Sequence, residues 1–395
     1  MKIEYTSDTY KTSVLLLCTL AFFVTAFGRL ALSPLVPLIT TDFGISNAEI
    51  GIALSGMWAA YSFTQFPSGL LADQYGERSV ILAALAGTGM TSLVVAFAPV
   101  YVVFLIGTVL LGAVGGLHYS AATALLSRTY DNTGMAIGVH NMGMPAGGLI
   151  APVVASWVGI RYGWRPASVL VLVTAVPIVL AFAWKIQSRE TTRPKEPLRE
   201  KIDRDRLSRI LMTPSIVFTI CIGIVSMFVA IGLFTFVPTF LVEHSGYSTA
   251  VAGAIFTAFF VVLIPLQVVV GHFADLYGED VTLASCFFAS WGGVLLLTLE
   301  SGLLSLVVAI LLLAIGSSSV PVIDSRLVNS FATDNVGTEF GLPRMIYGVI
   351  GGTGASVVGA LADFFTWGVS FGFLAGISLV VGVVISANEL FSLGY

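Results

Sequence analysis

The chain has 395 residues, of which 56% are hydrophobic and only 10% are charged, and its 22 acidic and 18 basic residues give a net charge of −4. A soluble domain carries roughly 25% charged residues, so this composition excludes a protein whose whole surface faces water and predicts the lipid bilayer as its main surrounding. The three cysteines lie in apolar stretches without metal-ligand spacing, and no nucleotide-binding or hydrolase motif occurs. We therefore expect no metal, no cofactor, no catalytic residues, no nucleic-acid partner and no enzyme activity.

Twelve long apolar runs predict an all-α membrane protein with twelve transmembrane helices. About 20 apolar residues are needed to cross a bilayer core, and lipid offers no partner to an open backbone, so each run must be a helix or part of a closed barrel. Barrel strands would alternate between apolar and polar residues, and these runs do not. The predicted spans, in chain order, are 12–37, 48–72, 79–98, 101–127, 134–158, 166–185, 213–241, 249–272, 281–299, 302–328, 339–362 and 369–390.

A charged stretch interrupts the apolar pattern near the middle of the chain. Residues 185–210 hold nine of the 18 lysines and arginines, which predicts a cytoplasmic linker between a first six-helix bundle, 1–184, and a second one, 211–395. Basic residues are enriched on the cytoplasmic side of membrane proteins, so both termini are expected in the cytoplasm. The sequence therefore predicts a multi-pass protein of the cytoplasmic (inner) membrane.

The two predicted bundles carry an internal repeat. When the sequence is shifted by 202 positions, residues 44–77 meet 246–279 with eleven identities, and a second echo aligns 131–138 with 334–341 at a shift of 203. Each repeat begins after an even number of spans, so the halves are expected to be parallel repeats related by an axis along the membrane normal. Parallel repeats of this kind are typical of secondary transporters that bind substrate near the midplane.

The repeated loops carry a family motif. GLLADQYGERS (69–79) resembles the loop signature of the major facilitator superfamily, and GHFADLYGED (271–280) resembles its second-half copy, with Asp280 where the family has arginine. The resemblance implies an alternating-access transporter, expected to be monomeric, with close helix approach at Gly69, a tight turn at Gly76, and Asp73 and Arg78 in charge contacts that close the cytoplasmic side. The corresponding positions in the second copy are Gly271, Asp275 and Gly278.

Arg29 is the first candidate for substrate binding. It lies past the middle of the first predicted span, which contains no acidic residue. Thr25, Arg29 and Ser33 are four residues apart, so they share one helix face and predict a polar, water-lined stripe. Ionisable groups at membrane depth are costly and functional by default, and an arginine can bind an anion through two parallel hydrogen bonds. The alternative is that Arg29 reaches the membrane boundary or pairs with a structural acid.

Two histidines lie inside the fourth and fifth predicted spans. His118 is followed by Tyr119, and His140 by Asn141. Histidine titrates near neutral pH, so either imidazole is a candidate for a coupling proton, and the tyrosine and asparagine are candidate substrate ligands. The alternative is a histidine that is hydrogen-bonded within the helix packing.

The second half places one carboxylate well inside a span. Asp324 lies in the tenth predicted span together with Arg326, and Arg344 lies in the eleventh. A pair of Asp324 with either arginine would offset the cost of burial and would form an inner gate or structural ion pair, whereas direct substrate binding is the alternative.

These residues favour a secondary active transporter of a small anion, such as an organic acid, working as a proton symporter or as an anion exchanger. The alternative is proton-coupled export of amphipathic or drug-like compounds, which a partial antiporter signature at 143–152 and 27 phenylalanines favour. The candidate substrate ligands are Thr25, Arg29, His118, Tyr119, His140, Asn141 and Arg344, and the candidate coupling or gate residues are Asp73, Arg78, Asp275, Asp324 and Arg326.

Overall fold

A computed structural model describes residues 8–130, 133–188, 211–299, 302–330 and 336–392 of the chain. Every regular element among these residues is a helix. The helices of the first half are α1 (Asp8–Leu30), a 3-10 turn (Ser33–Leu35), α2 (Val36–Phe43), α3 (Asn47–Tyr75), α4 (Glu77–Ala96), α5 (Tyr101–Ser127), α6 (Thr133–Asn141), α7 (Gly143–Tyr162) and α8 (Trp164–Lys185). Those of the second half are α9 (Pro214–Glu243), α10 (Thr249–Tyr277), α11 (Glu279–Leu299), α12 (Leu303–Ser317), α13 (Ser319–Asn329), α14 (Val336–Gly351), α15 (Gly354–Phe364) and α16 (Trp367–Leu390).

The predicted set of twelve spans is confirmed. Eleven helical stretches of the described residues are long and apolar enough to cross a membrane, and α3, with 29 residues, is the twelfth. Its lower hydropathy follows from polar residues along its length, such as Gln65. Most of the predicted linker, 189–210, lies outside the described residues.

Four spans are not continuous helices. The first is interrupted by the 3-10 turn before α2, the fifth between α6 and α7, the tenth between α12 and α13, and the eleventh between α14 and α15. Irregular backbone at membrane depth is tolerated only where protein or a water-filled cavity surrounds it. These breaks are therefore expected to lie beside functional groups rather than against lipid.

The chain divides into two compact units, and the first comprises Met1–Leu38 and Ala60–Ile202. Its core forms around one face of α1, where apolar side chains recur at helical spacing and pack with α4, α5 and α8. The helices α1 and α7 approach closely, because a Cβ at Gly143 would come within 2.7 Å of Phe22 Cβ and one at Gly147 within 2.9 Å of Ala26 Cβ. The glycines of α7 therefore allow the close packing of α7 on α1, since small side chains let membrane helices approach each other.

The second unit comprises Ile39–Ala59 and Asp203–Tyr395, so it includes the first thirteen residues of α3. Within it, α9 packs closely on α14 and α15, where a Cβ at Gly351 would lie 2.5 Å from Met227 Cβ. The start of α3 packs on α15 with similar closeness, because a Cβ at Gly359 would overlap the backbone oxygen of Asn47. The backbone N–H groups of Asn47 and Ala48 donate to the two carboxylate oxygens of Asp363, at 3.1 and 2.6 Å.

Candidate functional site

Two of the predicted ligands lie directly at helix breaks of the first unit. Arg29 is the penultimate residue of α1, and His140 is the penultimate residue of α6. Both side chains are buried, with exposed fractions of 2% and 0%. The breaks thus coincide with two buried ionisable groups of this unit, which is the arrangement expected of irregular backbone that serves a binding site.

The guanidinium of Arg29 is held against an aromatic face. Its central carbon lies 3.4 Å from the ring centroid of Tyr61, within the range of a cation–π interaction, which is stronger where water is excluded. Thr25 lies on the same face of α1 and is also buried, but its hydroxyl donates to the carbonyl of Phe22 at 3.1 Å. Ser33 is buried as well, but it lies beyond α1 in the 3-10 turn, so the water-lined stripe stays a prediction.

The two histidines of the first unit form one cluster with aromatic neighbours. The ring centroids of His118 and His140 lie 5.1 Å apart, and the ring of Phe22 lies 5.2 Å from each. Tyr119 lies 5.9 Å from His140. None of the four imidazole nitrogens has a hydrogen-bond partner among the described residues, although the backbone of Cys18 lies beside both rings.

Close contact between α3 and α5 positions this cluster. A Cβ at Gly116 would overlap the carbonyl oxygen of Tyr61, so only glycine permits this approach. Two cross-helix bonds fix the register: the Ser68 hydroxyl donates to the Leu117 carbonyl, and the Ser120 hydroxyl donates to that of Gln65 at 2.7 Å. Residues 118 and 119 lie between these anchor points, so their placement follows from the glycine and the two serines.

The predicted carboxylate of the second unit is paired with Arg344. One Asp324 oxygen lies 2.8 Å from an Arg344 nitrogen, and the other accepts a hydrogen bond of 2.5 Å from the Tyr347 hydroxyl. The Tyr347 ring is buried against Gly223, where a Cβ would come within 2.8 Å of it. Both charged side chains are about one-fifth exposed, at 19% and 22%, so the pair is partly screened by solvent.

Arg326 pairs with a different acid. Its Nε lies 2.9 Å from Asp280 Oδ1, and a second nitrogen donates to Thr219. Asn388 donates to the same carboxylate at 3.2 Å. Arg326 and Asp280 line a cavity of about 310 Å³, whose other walls include Tyr277, Glu279, Asn329 and Glu389. The sequence left Arg326 and Arg344 as alternative partners of Asp324. In the structure, Arg344 pairs with Asp324, and Arg326 pairs with Asp280.

The two motif loops share a backbone conformation but not a charge pattern. Gly76 and Gly278 both have positive φ values, 83° and 91°, which favour glycine. In the first loop, Arg78 donates to the carbonyls of Ile186 and Ala183 at 2.6 and 2.7 Å, just beyond and within the last turn of α8. In the second, the corresponding residue is the carboxylate that accepts from Arg326.

Several predicted groups lie apart from these contacts. Asp73 and Asp275 make no hydrogen bond or ion pair with any described residue, and the buried acid of the first loop is instead Glu77, at 2.7 Å from Arg128. The close approach that the resemblance implies at Gly69 differs from the structure, because a Cβ there would meet only Ser120 at 3.9 Å.

Two further predicted positions lie at the surface or in open space. A Cβ at Gly271 would meet nothing within 4 Å, so the close approach implied there is not present either. Asn141 is exposed although its neighbour His140 is fully buried. Adjacent residues of a helix point about 100° apart, so the two cannot serve the same buried cluster.

Comparisons with known proteins agree with the observed fold. The sequence model described as Major Facilitator Superfamily matches residues 18–256 and 223–388. A hexuronate transporter of Bacillus subtilis (strain 168) is 24% identical over 301 residues, 71% of each chain. A 4-hydroxybenzoate transporter of Pseudomonas aeruginosa is 31% identical over 191 residues, 47% of this chain and 41% of that one. The solved structure of a D-xylose–proton symporter matches with a TM-score of 0.79 and 16% identity, over 95% of this chain and 97% of that one.

Proposed function

Because this chain belongs to the Major Facilitator Superfamily and is a multi-pass secondary transporter, we propose that it carries a small organic anion by alternating access, as a proton symporter or an anion exchanger. The observation that carries this proposal is the buried guanidinium of Arg29 at the end of α1, beside Tyr61.

The charges of the first half support an anionic substrate. Each described acidic residue of this half lies in the first or last turn of a helix, whereas the groups buried at membrane depth are a guanidinium and two imidazoles. The acids are Asp8, Asp42, Glu49, Asp73 and Glu77. A cationic substrate beside Arg29 would meet a fixed like charge, while an anion would be attracted by it.

The geometry of Arg29 is compatible with carboxylate binding. Stacking on Tyr61 uses the face of the guanidinium, whereas a carboxylate is bound in the plane of the group through its N–H edges. The rings of Phe22, two helical turns before Arg29 on the same face of α1, and of Tyr119 beside Phe22 would contact the apolar part of such a substrate. Hexuronates and 4-hydroxybenzoate, named for two similar proteins, both combine a carboxylate with a ring.

Location and orientation are also part of the proposal. We place the protein in the cytoplasmic membrane with both termini inside, because the basic residues are concentrated at one membrane face. Arg78, Arg128 and Lys185 lie at helix ends of that face. In the sequence, the segment 185–210, which begins with Lys185, holds nine of the 18 lysines and arginines. Arg161 and Arg165 lie at the opposite ends of α7 and α8.

The test is ligand-dependent thermal stability of the purified protein. We would screen glucuronate, 4-hydroxybenzoate and lipophilic cations against the parent, Arg29→Gln and the control Arg161→Gln. The control also removes an arginine stacked on an aromatic ring, since Arg161 lies 4.3 Å from the Trp157 centroid, but this side chain is exposed. A ligand at 100 times its Kd stabilises the native state by about 2.7 kcal/mol, which shifts Tm measurably.

The expected result is that one carboxylate class stabilises the parent and the Arg161→Gln control but not Arg29→Gln. Stabilisation of all three proteins by lipophilic cations, with no response to carboxylates, would contradict the proposal. That outcome would favour the export of amphipathic compounds and give Arg29 a structural role.

A further inference from the structure

The buried imidazoles of His118 and His140 are not accounted for by anion binding at Arg29. Both side chains are fully buried, and all four ring nitrogens lack hydrogen-bond partners among the described residues. Buried polar side chains are satisfied in the large majority of cases, and exceptions call for an explanation such as a functional role. Two such groups in contact with each other are a stronger exception than either alone.

The spacing of the two rings allows them to share one proton. With centroids 5.1 Å apart, a nitrogen of one ring comes within hydrogen-bond distance of the other, about 2.7–3.2 Å, when the rings turn edge to edge. A neutral imidazole has one donor and one acceptor nitrogen, and a protonated one has two donors. With one added proton, the charged ring would donate a stronger, charge-assisted N–H···N bond to its neutral partner, whereas two added protons would place like charges side by side.

Arg29 lies close enough to influence that proton. Phe22 contacts both imidazoles and lies on the α1 face that carries Thr25 and Arg29. Tyr61, which stacks on Arg29, packs on Gly115 of α5, less than one helical turn before His118. At this separation, the positive charge of the guanidinium opposes positive charge on the imidazole pair.

The other groups around the pair do not provide a competing proton acceptor. The titratable neighbours are Cys18 of α1 and Tyr119 of α5, with Tyr61 of α3 beyond them. Beyond His140, α6 has no ionisable side chain, and α7 has them only at its last two positions. No described carboxylate contributes to the electrostatics of either ring.

We propose that His118 and His140 jointly bind the coupling proton, and that Arg29 links protonation of the pair to binding of the substrate anion. This inference rests on the proposed function. When an anion binds the guanidinium, its negative charge cancels the repulsion, and the pair takes up one proton from the same side of the membrane. When the anion leaves, the repulsion returns and the N–H bond releases the proton. Because linkage is reciprocal, protonation strengthens anion binding by the same factor.

The first test needs no substrate. The chain has only four histidines, so histidine-labelled protein gives few NMR signals, which His244→Gln and His272→Gln assign. In Arg29→Gln, we expect the signals of His118 and His140 to titrate at least one pH unit higher than in the parent. The signals of His244 and His272, in the second unit, should not move, and Arg161→Gln should leave all four unchanged.

The second test measures coupling in proteoliposomes with glucuronate and 4-hydroxybenzoate as probes. Accumulation of each probe driven by a pH gradient is compared with exchange of the same probe when the pH is equal on both sides of the membrane. We expect the ratio of driven accumulation to exchange to fall at least tenfold in His118→Gln and in His140→Gln, but not in the control His244→Gln, whose side chain is exposed.

The outcomes separate the two proposals. If neither probe binds or moves, the proposed function fails, and the NMR titration alone decides the inference. If the probes bind through Arg29 but both histidine variants keep the parent ratio, the inference is overturned and the proposed function stands. Equal titration of the pair in the parent and in Arg29→Gln overturns the inference directly.

Discussion

The N-terminus of α3 offers a sharp quantitative prediction, because each of its first backbone donors has a known partner. Asp363 accepts from Asn47 and Ala48, at 3.1 and 2.6 Å. The next donor, Glu49 N–H, bonds the Ser46 hydroxyl at 3.2 Å, and the Glu49 carboxylate accepts from the Ser46 N–H at 2.8 Å. This reciprocal pair is a capping box, so the helix end combines one local cap with one supplied from α15.

The substitution Asp363→Asn should release the cap from α15. An amide keeps one acceptor oxygen, so one of the two backbone donors loses its bond, and the negative charge at the helix N-terminus is lost as well. A hydrogen bond to a charged group contributes about 1.5–3 kcal/mol and the charge–dipole term about 0.3–1 kcal/mol. Asp363 is exposed, so solvent reduces both, and we expect a local loss of about 1–2 kcal/mol, a factor of roughly 5–30 in the opening equilibrium.

Hydrogen exchange of peptides that contain residues 47–50 measures this opening. The matched control is Glu49→Gln, which removes a charge from the same helix end but keeps an acceptor for its single hydrogen bond. We expect exchange to accelerate about 5–30-fold in Asp363→Asn and clearly less in Glu49→Gln. Equal exchange in both variants would refute the argument, because it would mean that the two bonds to Asp363 do not hold the start of α3.

Three further predictions concern helix packing and charge pairs. Gly359→Ala should lower the apparent Tm, because its Cβ would overlap the α3 backbone and overpacking costs about 1–3 kcal/mol; Gly372→Ala, with nothing within 4 Å, should not lower it. Asp324→Asn should lower the free energy of unfolding by about 1–3 kcal/mol, less than the roughly 3–5 kcal/mol that breaking a fully buried ion pair costs. In a double-mutant cycle, adding Arg344→Gln should recover part of this loss. Strict additivity of the two substitutions would contradict the pairing. Arg78→Gln should accelerate hydrogen exchange at the last turn of α8, and unchanged protection there would show that its two carbonyl contacts contribute little.

The course of the chain through the membrane was predictable because a bilayer imposes a simple rule on length and polarity. All twelve spans were found, and the structure extends most of them by one to several residues, as in α3, predicted at 48–72 and observed from Asn47 to Tyr75. The four breaks were not predicted. Hydropathy averages over a turn or more, so it cannot detect a 3-10 turn at Ser33–Leu35 or a single interrupted residue at Met142.

The charged pair of the second half was predictable only in part. The sequence left Asp324 with two partners, Arg326 and Arg344. Residues two apart on a helix do not face each other, so the spacing of Asp324 and Arg326 already disfavours that pair. The actual partner of Arg326, Asp280, could not be found from local spacing because it lies 46 positions away in the first turn of α11.

The histidine cluster shows where sequence reasoning ends. His118 and His140 were each singled out because they are ionisable and lie in apolar runs. Their contact with each other depends on the Phe22 ring, which packs against both, and on the glycine contact that brings α5 against α3. Such proximity is set by the tertiary packing of several helices, and no periodicity within one helix encodes it.

Arg78 of the first motif loop and Asp280 of the second place different constraints on which substitutions their surroundings tolerate. Arg78 binds backbone carbonyls at positions 183 and 186, and every amino acid supplies a carbonyl there, so those positions are free to vary while Arg78 is not. Asp280 binds the side chains of Arg326 and Asn388, so a change at one should require a change at another. The two loops are therefore not interchangeable. If they were exchanged, the Asp280 carboxylate would face the carbonyl oxygens of residues 183 and 186, and Arg78 would face Arg326.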